Sequence, residues 1–439
     1  MTALLLAAVL AAQPQEMRDA ESVTRLLAAL RTADPAVCEL AGRSLTGGGW
    51  WIGGDDDPMP RPMPTPTPTP MPMPFAGRGE RGPRPRVAGR RSSGWNAGVL
   101  DALRPALRDQ SACVRRIAAR VVTRAEPSWA RQEFGALAAS ADAGQRETGL
   151  LGLGTLEDPA TVGAIARALG DADERVRSMA AWALGRLEMP QSIPALAKAL
   201  GDSSPAVRRR AAWALGSIED EQALAPLERA LGDRAPEVRR IAVWAIGEIE
   251  SPKGVAALRS VTRDTDWETR STAAWALGEI EDRSAVDVLA TLVKDREARV
   301  RRMAVWALGE IESATAVPVL APLVGDADRD VKLMALWALG GIEAEAGVAP
   351  ATGALKDRDP EVRLMAAWAL GEIESSSAVP GLTPALKDAD AGVRATVAWA
   401  LGQIESRAAL PALEAVREDQ SPAVRRAVRW AINQIDDRR

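Results

Sequence analysis

The sequence predicts an all-α chain: a right-handed α–α superhelical solenoid of about 11–12 two-helix repeats. Three observations predict it. Tryptophan recurs at Trp182, Trp213, Trp244, Trp275, Trp306, Trp337, Trp368, Trp399 and Trp430, always 31 residues apart. A fixed period of that size marks stacked supersecondary units. Within each period the apolar residues follow helical spacing, first in a short run and then in a longer one. Glycine returns inside the longer run nine times, from Gly154 through Gly402. Each such glycine costs its helix about 0.5–1 kcal/mol relative to Ala, so a close approach of neighbouring backbones is expected at each.

The chain opens with MTALLLAAVLAA, an apolar run ending in small residues. Residues 1–16 therefore fit the apolar and cleavage parts of a secretory signal, with no Lys or Arg before the run. A short apolar helix packing as an N-terminal cap is the alternative. The run is shorter than the roughly 20 apolar residues that a membrane-spanning helix needs, and no other segment approaches that length. Export to a periplasm or the extracellular space is expected if residues 1–12 act as a signal, and a cytoplasmic location otherwise.

Residues 17–46 carry a degenerate repeat. Val23, Leu26 and Leu30 keep one helical face, and Asp34-Pro35 opens a second helix with Val37, Ala41 and Leu45. Residues 47–96 break the period. They hold Trp50-Trp51, the acidic Asp55-Asp56-Asp57, alternating proline over 58–74, and arginines from Arg78 to Arg91. Alternating proline forbids helix and sheet ladders, so a disordered excursion between two repeats is expected. A proline-rich docking motif is the functional alternative.

Residues 97–439 read as an unbroken array with a polar C-terminal cap. Its second helices are phased at Val114, Gln145, Val176, Val207, Val238, Thr269, Val300, Val331, Val362, Val393 and Val424. The first helix of a unit is short, as in Ser192 to Leu200, with Ile193, Leu196 and Leu200 on one face. The second opens on an Asp or Ser three residues before the phase position: Asp173, Ser204, Asp266, Asp328, Asp359, Asp390 and Ser421. These are N-cap residues, and Pro205, Pro360 and Pro422 follow where the backbone N–H is unpaired anyway. At 100° per residue, Val207, Ala211, Ala214, Leu215 and Ile218 fall within an arc of roughly 100°, the buried stripe. Asn433 and the closing Asp436-Asp437-Arg438-Arg439 suit a terminal unit that faces water.

Composition narrows the chemistry. Lys+Arg number 55 against 59 Asp+Glu, so the basic excess of a nucleic-acid binder is missing. There is no His, the commonest general acid/base and transition-metal ligand. Cys38 and Cys113 are the only cysteines; one bridge between them, or two small buried residues, both remain open. No phosphate loop, metal-spaced Cys set or nucleophile elbow occurs. No catalytic residue, metal or cofactor is therefore expected.

Asp five residues before the phase valine and Arg one after it recur as Asp202 and Arg208, Asp233 and Arg239, Asp295 and Arg301, Asp357 and Arg363, and Asp388 and Arg394. With Pro194, Pro318 and Pro380 in the first helices, this pattern resembles the HEAT repeat. Its length and its Ala-Ala-x-Ala-Leu-Gly-x-Ile core are similar to the short HEAT-like repeats of phycobilin lyase subunits and many bacterial scaffold proteins. The resemblance implies that these Asp and Arg residues form a ladder of inter-repeat hydrogen bonds, with Lys332 replacing Arg in one unit, and that the second helices line a concave face. Deoxyhypusine hydroxylase also carries such repeats, but its His–Glu di-iron site has no counterpart in a chain without His.

On the wheel the tryptophans fall about 120° from the buried stripe. On a concave face, with helices about 8–10 Å apart, they would make a track of roughly 80 Å. Met303, Met334 and Met365 flank it on one side, with Met179 and Ile241 at the same position, and Glu248, Glu279, Glu310 and Glu372 flank it on the other. Trp and Met are enriched at binding surfaces. The expected function is a non-enzymatic scaffold that binds a protein or peptide of unknown identity. The indoles could equally shield the seams between repeats. A phycobilin lyase-type subunit and a structural, self-associating exported protein are the other readings.

Overall fold

The computed structural model describes residues 20–32, 38 and 97–436. The expected signal at 1–16, the interruption at 47–96 and the final Asp437-Arg438-Arg439 lie outside the described residues. So does the expected helix containing Val37, Ala41 and Leu45.

Among the described residues all regular structure is helical. Helix pairs recur from Ala97–Ala106 with Ala112–Ala125 to Leu410–Glu414 with Pro422–Asp436. They fall into two compact units, one up to Ala245 and one from Ile246.

A single repeat shows how local chemistry sets the pattern. The Asp282 carboxylate accepts from the Ser284 N–H at 2.8 Å, which opens a 3-10 turn, Arg283–Ala285, into the short helix Val286–Leu292. A tight turn leads to the second helix, Ala298–Glu310. The N-caps Asp173, Asp266, Asp328, Asp359 and Asp390 each accept from backbone N–H groups of the first turn, as such caps do. Ser204 differs. It occupies the cap position, but its hydroxyl makes no cap bond. Its own N–H still donates to Asp202 at 2.8 Å, as those of Asp173 and Asp328 do to Asp171 and Asp326, so the turn is held from two residues upstream in each.

The helices end in a way the residue types did not suggest. Glu157, Glu188, Glu219, Glu281 and Glu374, among others at the same phase, sit in the left-handed region with φ between 46° and 53°. That conformation disfavours any residue with a Cβ by roughly 1–2 kcal/mol, and glycine or asparagine usually takes it.

The buried stripe is the expected one: Val207, Ala211, Ala214 and Leu215 have no exposed surface, and Ile218 is buried. In the N-terminal helix Ala20–Leu30, Val23, Leu27 and Leu30 are buried and Leu26 is half-buried. The apolar face is thus rotated slightly from the expected Val23, Leu26 and Leu30 set, because it packs against helix Ala97–Ala106. Cys38 and Cys113 are bridged, their Cα atoms 5.8 Å apart.

The helix glycines meet the next repeat. A methyl added at Gly185 would stand 2.6 Å from Trp213 Cζ3 and 2.8 Å from Ala214 Cα. Gly154 meets Ala183 and Trp182 in the same way, and within the second unit Gly278, Gly309, Gly340, Gly371 and Gly402 each meet the next indole. Adjacent Gly340 and Gly341 therefore make opposite predictions. At Gly340 an added methyl lies 2.8 Å from Trp368 Cζ3 and 3.1 Å from Ala369 Cα, whereas at Gly341 nothing lies within 4 Å. Gly340→Ala should lower stability by about 1–3 kcal/mol through overpacking, and Gly341→Ala should raise it by about 0.5–1 kcal/mol through helix propensity. Urea denaturation of both variants checks this, and equal effects of one sign would refute the seam.

Candidate functional site

Two periodic constellations run along the helix pairs, one in the turns and one on the second helices. In the turns, Arg177 Nε and Nη2 donate to Asp202 Oδ2 and Oδ1 at 2.7 and 2.9 Å. Arg177 Nη1 turns back to the carbonyls of Asp171 and Ala172 at 3.0 and 3.1 Å. One guanidinium thereby joins its own turn to the next. The first unit repeats the fork at Arg146–Asp171 and Arg208–Asp233. The second repeats it at Arg270–Asp295, Arg301–Asp326, Arg363–Asp388 and Arg394–Asp419.

The side-chain partners lie one repeat apart, not within one turn. Arg208 reaches Asp202 only through its backbone carbonyl, at 2.9 Å; its carboxylate partner is Asp233, 25 residues on. Asp295 likewise receives Arg270, and Asp388 receives Arg363. Arg239 donates to the Asp233 carbonyl at 3.0 Å. Residues 146, 171, 177, 270, 326 and 419 belong to the same ladder and were readable by extending the register in both directions. Lys332 supplies a single bond to Asp357, at 2.7 Å. Arg115 stands where the next turn offers Ser140 rather than Asp, and it donates to the Thr148 hydroxyl at 3.2 Å instead.

The ladder carboxylates are held below their ordinary range. For Asp171, Asp202, Asp388 and Asp419 the chief cause is the hydrogen bond from Arg146, Arg177, Arg363 and Arg394 respectively. At Asp233, Asp295 and Asp326 burial pushes upward, and the guanidinium with the backbone N–H two residues on outweighs it. At Asp357 the chief cause is the backbone N–H of Asp359, with Lys332 second. A point charge on one oxygen holds a carboxylate less firmly than a two-bond fork.

The second constellation is the indole row. Trp182, Trp244 and Trp275 are buried, and Trp213, Trp306, Trp337, Trp368, Trp399 and Trp430 are half-buried. Each ring edge lies over a glycine of the preceding repeat. An indole is long enough to reach from the outer side of its helix into the seam, so its position on the wheel does not fix its exposure. The ring nitrogens face the other way. Among the described residues none of the nine donates to a protein acceptor, and none is a sealed donor without a partner. Each therefore keeps contact with solvent.

Met303, Met334 and Met365 do not flank this row as expected. They are buried, with at most 6% of their surface exposed. Their wheel position lies nearer the buried stripe than the tryptophans, side chains on a helix lean over the preceding turn, and a flexible thioether fills the remaining gap. Met179 and Ile241 are buried too. Glu248, Glu279, Glu310 and Glu372 are half-buried, and each engages other protein groups. In the second unit, Leu364, Ala395 and Ala427 lie half-buried and pack on the core. Among the described residues no group of three or more His, Cys, Asp or Glu is placed to hold a metal, and no helix is long and apolar enough to cross a membrane.

The family model for HEAT repeats matches this chain at residues 132–204, 162–235, 193–267, 229–301, 290–351, 323–390 and 348–433. No curated protein matches. Among solved structures, the chain is similar to Kap95p in a complex described as inducing the switch loops of RanGDP to adopt the GTP-bound conformation. The identity is 16% and the TM-score 0.51, over 77% of this chain and 56% of that one. An engineered protein aligns over 70% of this chain and 98% of its own, with 22% identity and a TM-score of 0.43.

The ladder sets a test of its own. Asp388→Ala removes both the Arg363 fork and the bond from the Asp390 N–H, so it should lower stability near neutral pH by about 2–3 kcal/mol. Lys332→Arg should raise it by about 0.5–1 kcal/mol. A depressed Asp contributes stability above its unfolded value of 3.8 and loses it as pH falls through its lower folded value. The deficit of Asp388→Ala should therefore shrink as the pH of urea denaturation is lowered below about 4. A deficit independent of pH would show that the carboxylate is not the stabilising group.

Proposed function

The chain belongs to the HEAT repeat family, and from that premise we propose that it is a non-enzymatic scaffold binding a protein or peptide along the outer stripe of its second helices. HEAT solenoids are usually non-catalytic, and the Kap95p structure pairs a similar fold with a protein partner. The observation that carries the reading is the indole row: ring N–H donors at a fixed period that meet solvent and no protein acceptor. Fold alone does not assign function; a face with repeated, unanswered donors beside half-buried apolar side chains is where a partner gains most.

Affinity capture with the full chain tests this. Leu364→Glu and Ala395→Glu place carboxylates four residues before Trp368 and Trp399 on the second helices, and Arg407→Glu, on an exposed 3-10 turn, is the control. The proteins captured by the native chain should be lost from the first two variants at unchanged helicity and kept by the control. The same set captured by all three would overturn the reading.

We further propose that the protein folds in an oxidising compartment, outside the cytoplasm. The Cys38–Cys113 bridge supports this, since such bonds persist where thiols are not kept reduced. Peptide mapping of protein from its native source, without reductant, should recover the linked Cys38 and Cys113 peptides. Recovery of both as free thiols would refute the assignment.

A further inference from the structure

One seam of the second unit breaks the charge pattern of the turns. Arg263 lies six residues before the phase position Thr269, and Arg296 lies four before the next one, Val300. No other pair of successive second helices from Val114 to Val424 carries a cation at both of these positions. Lys294 corresponds in register to Ala327, and Gly325 to Arg358. Arg263 and Arg296 line one cavity of about 400 Å³, together with Thr262, Asp264, Thr265, Arg270 and Asp295. That volume lies within the roughly 300–1,000 Å³ of small-molecule sites. Arg263, Thr265 and Arg296 are exposed, so the cavity is reached from solvent, while Arg270 is buried.

Most of the charge in this cavity is already matched. Arg270 Nε and Nη2 donate to Asp295 Oδ2 and Oδ1 at 2.6 and 2.9 Å, and the Glu297 N–H donates to the same Oδ1 at 2.9 Å. Asp264 accepts from the Asp266 N–H at 2.8 Å and engages a further group. Arg263 and Arg296 are the exceptions. Among the described residues the Arg263 guanidinium has no hydrogen bond or ion pair, and Arg296 has only the carboxylate of its neighbour Glu297, 3.9 Å from Nε. Two like charges on one cavity oppose the seam rather than hold it. An anion between them reverses the sign.

The donor set narrows the anion. A carboxylate carries one charge on two oxygens, and a single guanidinium fork satisfies it. A phosphate monoester carries about −1.5 to −2 charge at neutral pH and three strong acceptor oxygens, which suits two guanidiniums and a hydroxyl. The planar fork of arginine fits phosphate geometry. The Thr265 hydroxyl has no acceptor among the described residues and is exposed on the same cavity.

We propose that this cavity binds the phosphate group of a phosphate monoester, held between the guanidiniums of Arg263 and Arg296, with the Thr265 hydroxyl donating to a third oxygen. The Arg270–Asp295 fork stays intact on binding, because both carboxylate oxygens keep the donors they have. The site is independent of the scaffold reading above, since it is built from the turns and not from the indole row.

Calorimetric titration of the full chain near neutral pH tests this, with O-phosphoserine as probe. It should bind saturably. Arg263→Gln and Arg296→Gln should each weaken it by at least about tenfold, and Thr265→Val by about threefold to tenfold. Arg358→Gln removes an exposed cation from another turn and should leave the affinity unchanged. All four variants should unfold in urea as the native chain does. Succinate and serine should not compete. A short peptide bearing phosphoserine distinguishes the source of the phosphate: equal affinity supports a free small molecule, and an affinity at least tenfold higher supports a phosphorylated side chain of a protein partner. No saturable binding at millimolar O-phosphoserine, an affinity unchanged by Arg263→Gln or Arg296→Gln, an equal loss in Arg358→Gln, or succinate binding as tightly overturns the proposal.

Discussion

The contact between a glycine on one second helix and the alanine and indole of the next is the constraint on which the rest depends. With a side chain at Gly185, helix Glu174–Leu187 could not bring its backbone so close to Ala214. That proximity lets Ala211 and Ala214, residues with little surface to bury, be fully buried. A small-residue core can be stable only if the helices come near enough for small residues to touch. The nine helix glycines are thus a local loss of helix propensity offset by packing in every seam.

The Arg–Asp ladder solves a different problem at the same boundary. Glycine and alanine set how near two helices lie, but smooth small-residue surfaces leave sliding cheap. A fork such as Arg363 to Asp388 fixes the relative position of two turns to within a hydrogen bond. The same arginine holds the carbonyls of its own turn, and the same aspartate holds an N–H of the next. Groups that would otherwise need water at the ends of short helices are satisfied by one periodic pair. At Lys332 the fork is reduced to a single bond, and at Ser140 the acceptor is gone.

Much of this architecture was legible in the sequence because the repeats say it many times. The period located the second helices, the Asp caps and the close approaches at glycine. The ladder residues were visible as types, but their pairing was not, because Asp202 lies close to Arg208 in sequence while the Arg208 fork goes to Asp233. For the indoles, position alone left two readings open, an exposed row and a seal over the seams. A wheel places the Cβ, and a ring as large as that of Trp275 can still return to the seam, as its burial shows. Met365 was misplaced for the same reason in a more flexible side chain. The left-handed glutamates were invisible, since no rule reads Glu as a helix terminator, and Glu374 holds its φ of 52° by context rather than preference. The Cys38–Cys113 bridge was undetermined because spacing in sequence says nothing of distance across an intervening segment.

In a nearly uniform array, function has to come either from the repetition itself or from departures from it. At the ladder positions the turns depart from uniformity in ways that change the strength of a seam, not its chemistry. On the second helices the departures are of another kind. At the position four residues after the tryptophan, Glu310 gives way to Gly341 and later to Gln403, and two residues after the phase valine Arg302 gives way to Leu333, Leu364 and Ala395. Charge is absent from one side of the indoles over three consecutive repeats, at Leu333, Leu364 and Ala395, while the other side keeps Glu372 between Gly341 and Gln403. The packing of the seam needs the ring edge over the glycine and is indifferent to those flanking residues. The indole row is therefore held constant by the seam, the ring edge over the glycine of the preceding repeat, while its flanks are left free to vary.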